Sequence, residues 1–336
     1  MGILLCLTVT FIVCLPIYFT NGVIAEVPLS SAKAKSSSTG AISTRSYHYF
    51  TIKEEKEIQN DSQGAYTYYA NNLSIIQNRT ICPKQNETAI YIHGEWTDEK
   101  SASEQLNRIA MSIRANNYEI YLIGFSWDSN SAISRDGWQT AKIAAEKNGL
   151  KLAQIIVDFK TRCKDTNIRL IAHSLGANVV NSTLVTLNNN EKWTNNGFKI
   201  TSVHLLGAAI NNNAISRNTT LGKAIEKVVD DFYNLYDPED NMLEYVYSHI
   251  VNQGALGLLG AQHNLTLPRH YHERNIESEL VPIPDADANG SLDCFDSFVI
   301  LPGDNHCGYI GYRLLHPFED LLRDDGSIDV VVQDWS

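Results

Sequence analysis

The sequence predicts an α/β fold, in which helices cover both faces of a mostly parallel sheet. From residue 88 onward, apolar strand-like runs alternate with segments of helical periodicity, which is typical of βαβ units. The strand-like runs are continuously apolar, as expected for strands that are buried on both faces. Polar residues follow these runs, at the sheet edge where parallel α/β proteins place their functional sites.

The predicted elements follow in chain order. Residues 46–80 alternate aromatic and polar groups and predict two or three short, half-exposed strands. A first buried strand, TAIYIHGEW, precedes a helix, SEQLNRIAMSIRANN, and a second strand, YEIYLIGFSWDS. The third strand lies in IRLIAHSLGA, and a helix, NVVNSTLVTLNN, follows it. The fourth and fifth strands are FKITSVHLLGAAI and VVDDFYNLYD. Between the second and third strands lies a long helix with apolar residues at Ile143, Leu150, Ala153, Ile156 and Val157.

The N-terminal residues indicate export. Residues 3–19 contain no charge and precede a small-residue site, which predicts a secretory signal peptide over residues 1–25. The same run is long enough to remain as an anchor, since about 17–25 residues span a bilayer. Residues 26–45 are rich in Ser, Ala and Lys and predict a disordered linker, which leaves residues 46–336 for the α/β domain. We therefore expect a secreted or cell-surface protein, with a membrane as partner only if the N-terminal segment is retained.

Four cysteines lie outside the predicted signal, and an exported protein is expected to pair them. Cys294 and Cys307 are close in sequence and are paired first, which leaves Cys82 with Cys163. The alternative is four free, buried thiols. Sequons for N-linked glycans predict a glycoprotein and occur at Asn60, Asn72, Asn78, Asn86, Asn181, Asn218, Asn264 and Asn289.

The charge distribution argues against nucleic acid as a partner. The formal net charge is −11, and no cluster of basic residues stands out. Binding to a phosphate backbone requires a positively charged face, which this chain does not offer.

The segment IRLIAHSLGANVV, residues 168–180, interrupts an apolar run with polar and small residues. A strand, then x-His-Ser-x-Gly, then a helix is the pattern of a nucleophile elbow, a sharp turn that exposes a serine hydroxyl above the sheet. The small residues Ala172 and Gly176 allow the strand and the helix to approach closely. Ser174 is therefore the predicted nucleophile, and the alternative is a serine that only caps the helix.

A serine nucleophile requires a base, and the base requires an acid that orients it. With a nucleophile elbow, the acid and then the histidine follow the serine along the chain. Asp237 and Asp240 follow the fifth strand, and we favour Asp240 because it lies one short turn beyond the strand. His306 follows a last apolar run and a Pro-Gly turn, and it is the predicted base.

Attack by Ser174 creates an oxyanion that needs hydrogen-bond donors already in place. One predicted donor is the backbone N–H of Leu175, the residue after the nucleophile. The other follows the first strand and is the N–H of either Glu95 or Trp96, since Gly94 lets the backbone come close. Gly94 is equally consistent with an ordinary glycine at the end of a strand.

Four segments, HGEW, AHSLGA, YDPEDNML and DNHCGY, occur in this order and together resemble the α/β-hydrolase superfamily, in particular its lipase- and esterase-like members. The resemblance covers residues 88–318. It implies the α/β-hydrolase fold with an eight-stranded, mostly parallel sheet, and a catalytic triad of Ser174, Asp240 and His306. It also implies hydrolysis of acyl esters of small molecules or lipids, without a cofactor for catalysis.

Residues 285–296, DADANGSLDCFD, have the ligand spacing of a calcium-binding loop and resemble dockerin- or EF-hand-like loops. A glycine, Gly290, occupies the position where such loops turn sharply. The predicted ion is structural and braces the segment that carries His306. The alternative is an acidic turn without metal. The candidate ligands are Asp285, Asp287, Asn289, Ser291, Asp293 and Asp296.

Residues 245–297 are predicted to form a cap or insert that carries this loop. Their apolar stretch GALGLLGAQ fits a pocket wall, a mobile cap or core packing equally well. The leading functional hypothesis is a secreted serine hydrolase of carboxylic esters. The alternatives are a peptidase or amidase of the same fold, and a calcium-stabilised surface module that binds without turnover.

Overall fold

A central sheet of seven parallel strands dominates the computed structural model, which describes residues 47–52, 82–83, 86–129, 131, 134–280, 305–313 and 322–335. Its strand order is β1-β3-β2-β4-β5-β6-β7. Each neighbouring pair is parallel. The strands are β1 Tyr47–Ile52, β2 Glu87–Ile92, β3 Tyr121–Trp127, β4 Asn167–His173, β5 Ile200–Leu206, β6 Val229–Tyr236 and β7 Tyr271–Asn275.

Helices flank this sheet, and shorter helical turns occur after β6. Residues Met242–Tyr247 form a π-helical turn, and single 3₁₀ turns occupy Glu277–Glu279 and Gly308–Ile310. A separate antiparallel pair joins β8, Tyr312–Arg313, to β9, Leu322–Asp324. The helices are α1 Glu99–Ala115, α2 Arg135–Arg162, α3 Gly176–Asn188, α4 Glu191–Asn195, α5 Thr220–Val228, α6 Ser248–Val251, α7 Leu256–Leu259 and α8 Ile328–Gln333.

Two hydrophobic clusters lie on opposite faces of the sheet. Alternate side chains of β2 enter different clusters, since Ile90 and Ile92 join one and Ala89 and Tyr91 join the other. The first cluster contains residues of α2, α3 and α5, and the second contains residues of α1 and α8. A parallel strand buried on both faces must be apolar at successive positions, which is why β2 reads as a continuous apolar run. The predicted fold class, with helices on both faces, is confirmed.

The five buried strands predicted from residue 88 onward correspond to β2 to β6. The family resemblance implied eight strands, and seven are present in the sheet among the residues described. The seventh, β7, was not predicted, because its sequence YHERN is largely polar and exposed. It lies at the sheet edge next to β6, within the stretch predicted as a cap or insert.

Only some of the apolar residues predicted to define the long helix α2 are buried. Ala153, Ile156 and Val157 are buried as predicted, but Ile143 and Leu150 are 52% and 55% exposed. These two residues lie on one helix face, away from the core. Close packing against α3 depends instead on a small residue, since a Cβ at Gly149 would lie 2.4 Å from Ser182 Cβ.

A disulfide bond joins Cys82 to Cys163 with a Cα–Cα distance of 5.4 Å, as predicted. It ties the segment before β2 to the end of α2. Cys307 is also disulfide-bonded, while Cys294, the partner predicted for it, lies outside the described part of the chain. The predicted signal and linker, residues 1–45, lie outside it too. Within the described ranges, no helix has the length and apolar character to cross a membrane.

Candidate active site

Ser174 lies at the sharp turn between β4 and α3, and its φ angle of 53° places it in the left-handed region. Non-glycine residues rarely adopt this conformation, and it is held only where the surrounding structure enforces it. Here the Ser174 N–H donates to Leu206 O at 3.0 Å, and Ser174 O accepts from the Ala209 N–H at 3.1 Å. The end of β5 thus fixes the serine in the strained turn.

Two glycines let neighbouring segments contact this turn. A Cβ at Gly176 would lie 2.7 Å from Ile92 O and 2.8 Å from His93 O, so α3 starts directly against the end of β2. A Cβ at Gly94 would lie 2.8 Å from the Ser174 Cβ. The loop after β2 therefore passes immediately beside the serine, as the sequence predicted for a loop that supplies an oxyanion donor.

The side chains of Asp240 and His306 form a buried pair. His306 Nδ1 donates to Asp240 Oδ2 at 2.7 Å, and the two side chains are 0% and 1% exposed. The second oxygen of Asp240 accepts from the Leu243 N–H at 2.9 Å. A carboxylate with two donors is held in one orientation, and it sets the histidine tautomer with the proton on Nδ1.

Asp237 has different partners. Its Oδ1 accepts from the Glu239 N–H at 2.8 Å, and its Oδ2 accepts from the side-chain amide of Asn305. Burial raises the pKa of Asp237 to about 6. The structure therefore brings Asp240, and not Asp237, against His306.

The loop after β2 is held by His93. Its Nδ1 donates to Gly94 O at 2.8 Å, while its Nε2 accepts from the Trp127 N–H at 3.1 Å. The Trp127 indole N–H in turn donates to His93 O at 2.9 Å. Burial lowers the pKa of His93 to about 4, so the ring is neutral at pH 7 and keeps this pattern of donor and acceptor.

The structure separates the two candidates for the second oxyanion donor. The Trp96 N–H donates to Ser129 O at 3.1 Å, so it is already used. The N–H groups of Glu95 and Leu175 have no acceptor in the described part of the chain. Of the residues predicted as donors, Leu175 and Glu95 thus keep an N–H for another acceptor, and Trp96 does not.

Ser174 and His306 line one pocket, which has an empty volume of about 470 Å³ including its open mouth. Trp138 and Tyr247 are also in its wall, together with Met242, Leu243 and Val246 from the π-helical turn. This wall was not predicted from the sequence, where GALGLLGAQ was a candidate for it. The sequence did carry a signal for it, because the largely apolar run MLEYVY begins two residues after Asp240.

The stretch GALGLLGAQ packs into the core in its helical part. Leu256 and Leu258 of α7 are buried, and a Cβ at Gly257 would lie 2.1 Å from Ala208 N. None of the residues of α7 lines the pocket beside Ser174. Of the interpretations left open, core packing is the one that α7 shows.

A comparison with protein families identifies the fold. Residues 70–283 match the family described as "Alpha/beta hydrolase of unknown function (DUF900)". The chain belongs to this family. Membership agrees with the parallel sheet and with the strand–turn–helix geometry at Ser174. No curated protein matches this hydrolase.

Solved structures resemble the hydrolase only weakly. TT1662 from Thermus thermophilus is 11% identical with a TM-score of 0.33, covering 56% of this chain and 78% of that one. A lipase-esterase related protein from Clostridium acetobutylicum is 11% identical with a TM-score of 0.27, covering 57% and 86%. The catalytic core of acetyl xylan esterase from Trichoderma reesei is 12% identical with a TM-score of 0.32, covering 53% and 97%. Likenesses this weak add nothing to the family match.

His173 takes a place in the hydrolase site that the sequence did not predict. Its Nε2 donates to the backbone O of His306 at 2.8 Å, and the two ring centroids are 4.7 Å apart. Burial lowers its pKa to about 3, so the ring is neutral at pH 7. The residue before the nucleophile therefore holds the segment that carries His306.

The predicted calcium ligands, residues 285–296, lie outside the described ranges of the hydrolase. Elsewhere, in the ranges that are described, no group of three or more His, Cys, Asp or Glu side chains is placed to hold a metal ion. The calcium loop remains a prediction.

Proposed function

We propose that this protein is a serine hydrolase that cleaves carboxylic esters of small molecules or lipids through an acyl-enzyme. The observation that carries the proposal is that His306, joined to Asp240 at 2.7 Å, lines the same pocket as Ser174. Membership in an α/β-hydrolase family supports the coarser statement that the protein is a hydrolase.

The proposed reaction has two halves. Ser174 Oγ attacks the ester carbonyl carbon while His306 Nε2 takes the hydroxyl proton. The Leu175 and Glu95 N–H groups donate to the oxyanion, and His306 returns the proton to the departing alcohol as the C–O bond breaks. Water then attacks the acyl-enzyme with His306 again as base, which releases the acid and restores Ser174. Asp240 keeps the proton of His306 on Nδ1 and stabilises the imidazolium that forms.

The strained turn at Ser174 favours this proposal over a binding module without turnover. A non-glycine residue with a φ of 53° destabilises the fold, by about 1–3 kcal/mol for a strained position. A surface module that only binds would gain nothing from such strain. A peptidase or amidase would use the same residues with an amine as leaving group, so substrate tests must separate the two. In line with the sequence analysis, we propose that the enzyme acts outside the cell or at its surface.

Fluorophosphonate labelling of the full chain tests the proposal. We expect labelling of wild type at Ser174 and hydrolysis of p-nitrophenyl esters. Ser174→Ala should lose the label and about 10⁴-fold or more of the turnover, because the covalent route is removed. Ser182→Ala, on the neighbouring helix α3, serves as the matched control and should keep both.

Three outcomes would contradict the proposal. Equal labelling of Ser174→Ala and wild type would place the nucleophile elsewhere. Absence of label in wild type would favour the binding module. Faster cleavage of matched anilides than of esters would favour an amidase.

A further inference from the structure

The pocket beside Ser174 and His306 combines a carboxyl group with aromatic rings. Glu95 lines it together with Trp96, Trp138 and Tyr247, and no lysine or arginine belongs to its described lining. The proposed reaction uses only the backbone N–H of Glu95. The reaction therefore assigns no role to the Glu95 side chain.

The Glu95 carboxyl group is buried, and no lysine or arginine among the described residues of the pocket pairs with it. The residue is 7% exposed, and one oxygen, Oε1, accepts from the Ser131 hydroxyl. The other oxygen, Oε2, has no hydrogen-bond partner among the residues that the structure describes. Burial raises the pKa of Glu95 to about 7, since it disfavours the ionised form by more than the hydrogen bond from Ser131 stabilises that form.

The aromatic residues of the same pocket are held by contacts of their own. The rings of Trp138 and Tyr247 pack edge to face with centroids 5.2 Å apart. The Trp96 indole N–H donates to Ser131 O at 3.0 Å, so Ser131 holds both Trp96 and Glu95. Aromatic faces attract cations, most strongly when the site is shielded from water.

We propose that this pocket selects esters that carry a positively charged ammonium group, with the Glu95 side chain as the specificity-determining carboxylate. The inference rests on the ester hydrolysis proposed above. A substrate cation supplies a counter-charge that the described residues of the pocket do not give Glu95, and the aromatic rings add cation–π attraction. The substrate cation also neutralises the Glu95 carboxylate, whose negative charge would otherwise oppose formation of the oxyanion at the neighbouring N–H groups.

A pair of isosteric esters tests the inference. The choline ester of acetic acid carries a trimethylammonium group, and its neutral isostere carries a tert-butyl group in the same place. Wild type should hydrolyse the cationic ester with a kcat/KM at least about tenfold higher than that of the neutral one. Glu95→Gln should bring this ratio close to one, whatever its absolute rates. Glu146→Gln, an exposed position on α2, is the control and should keep the wild-type ratio.

A binding measurement gives a readout that needs no turnover. Phenyltrimethylammonium should protect Ser174 of wild type from fluorophosphonate labelling at concentrations where neutral tert-butylbenzene does not. Equal kcat/KM values for the two esters, or equal protection by the two ligands, would overturn the inference while ester hydrolysis stood. Absence of both hydrolysis and labelling would overturn the proposed function, and the inference with it.

Discussion

Asp237 and Asp240 follow the same strand, and both are fully buried, yet only one meets His306. Each carboxyl group has a backbone donor of its own, Glu239 N–H for Asp237 and Leu243 N–H for Asp240. The remaining oxygen decides the role. It bonds the Asn305 amide in one case and the His306 imidazole in the other. The two neighbouring acids thus differ in their hydrogen-bond partner because their side chains point in different directions.

This difference predicts unequal effects of two isosteric substitutions. Asp240→Asn should lower kcat by about 10³–10⁴-fold, because an amide no longer holds the proton on His306 Nδ1. Asp237→Asn should lower it by less than about tenfold. Steady-state kinetics on one p-nitrophenyl ester, with thermal melts to confirm folding, would measure both. The reverse ranking would assign the acid role to Asp237.

At the scale of elements, the site depends on how closely α3 approaches the end of β2. Gly176 allows this contact, since any larger residue would bring its Cβ within 2.7 Å of Ile92 O. Backbone atoms on a buried strand cannot move aside as a flexible side chain can. The nucleophile and the proposed oxyanion loop therefore keep their spacing through a residue that has no side chain.

Gly176→Ala should accordingly impair both stability and turnover. We expect the free energy of unfolding to fall by about 1–3 kcal/mol, as for other overpacked positions. The kcat should also fall, because Ser174 and the Glu95 N–H separate.

Gly197→Ala is the control, since its Cβ meets nothing within 4 Å although its φ is +64°. It should lose stability, by about 1 kcal/mol, with kcat unchanged. Unaltered kcat in Gly176→Ala would mean that the close approach is not needed.

At the scale of the whole molecule, buried titratable groups link stability to pH. Burial lowers the pKa of His93 to about 4 and that of His173 to about 3, from an ordinary value of 6.5. At pH values between the lowered pKa of the folded state and the ordinary 6.5, each histidine is more protonated in the unfolded chain than in the folded one. These histidines therefore make the stability of the fold decrease as the pH falls. Glu95 and Asp237 act in the opposite direction, because burial raises their pKa values.

A difference measurement isolates the contribution of His173. Wild type should lose about 3 kcal/mol more stability than His173→Gln when the pH falls from 7 to 4, at about 1.4 kcal/mol per pKa unit. Glutamine cannot be protonated but retains an amide donor for His306 O. Urea unfolding of both proteins across this range would measure the difference. Parallel pH dependences would show that His173 titrates normally in the folded state.

We also propose that calcium binds residues 285–296 and stabilises the whole domain. A ligand that binds only the folded state raises its stability by mass action, so excess EGTA should lower the Tm of wild type. Asp287→Ala should have the lower Tm already and should not respond to EGTA. Turnover should fall with the Tm, since His306 follows this segment and its neighbour Cys307 is disulfide-bonded. Identical Tm values for wild type and Asp287→Ala, each with and without EGTA, would show that these residues bind no calcium.

The sequence by itself determined the fold class, the buried strands and the serine turn. Strands buried on both faces must be apolar throughout, and a sharp turn between strand and helix needs small residues, so both leave local signals. The polar edge strand β7 left none, because it is half solvent-exposed and its place comes from pairing with β6. The disulfide between Cys82 and Cys163 followed from elimination among few cysteines.

The tertiary structure alone decided those long-range contacts that no motif and no small set of candidates indicated. His173 bonds the backbone of a residue 133 positions away, and no periodicity encodes such a contact. The choice between Glu95 and Trp96 depended on Ser129, whose carbonyl takes the Trp96 N–H. Whether such a hydrogen bond forms depends on differences of a few tenths of an ångström in the donor–acceptor distance and on the direction of the side chain. Packing across the sheet sets both, whereas local sequence specifies only the element to which each residue belongs.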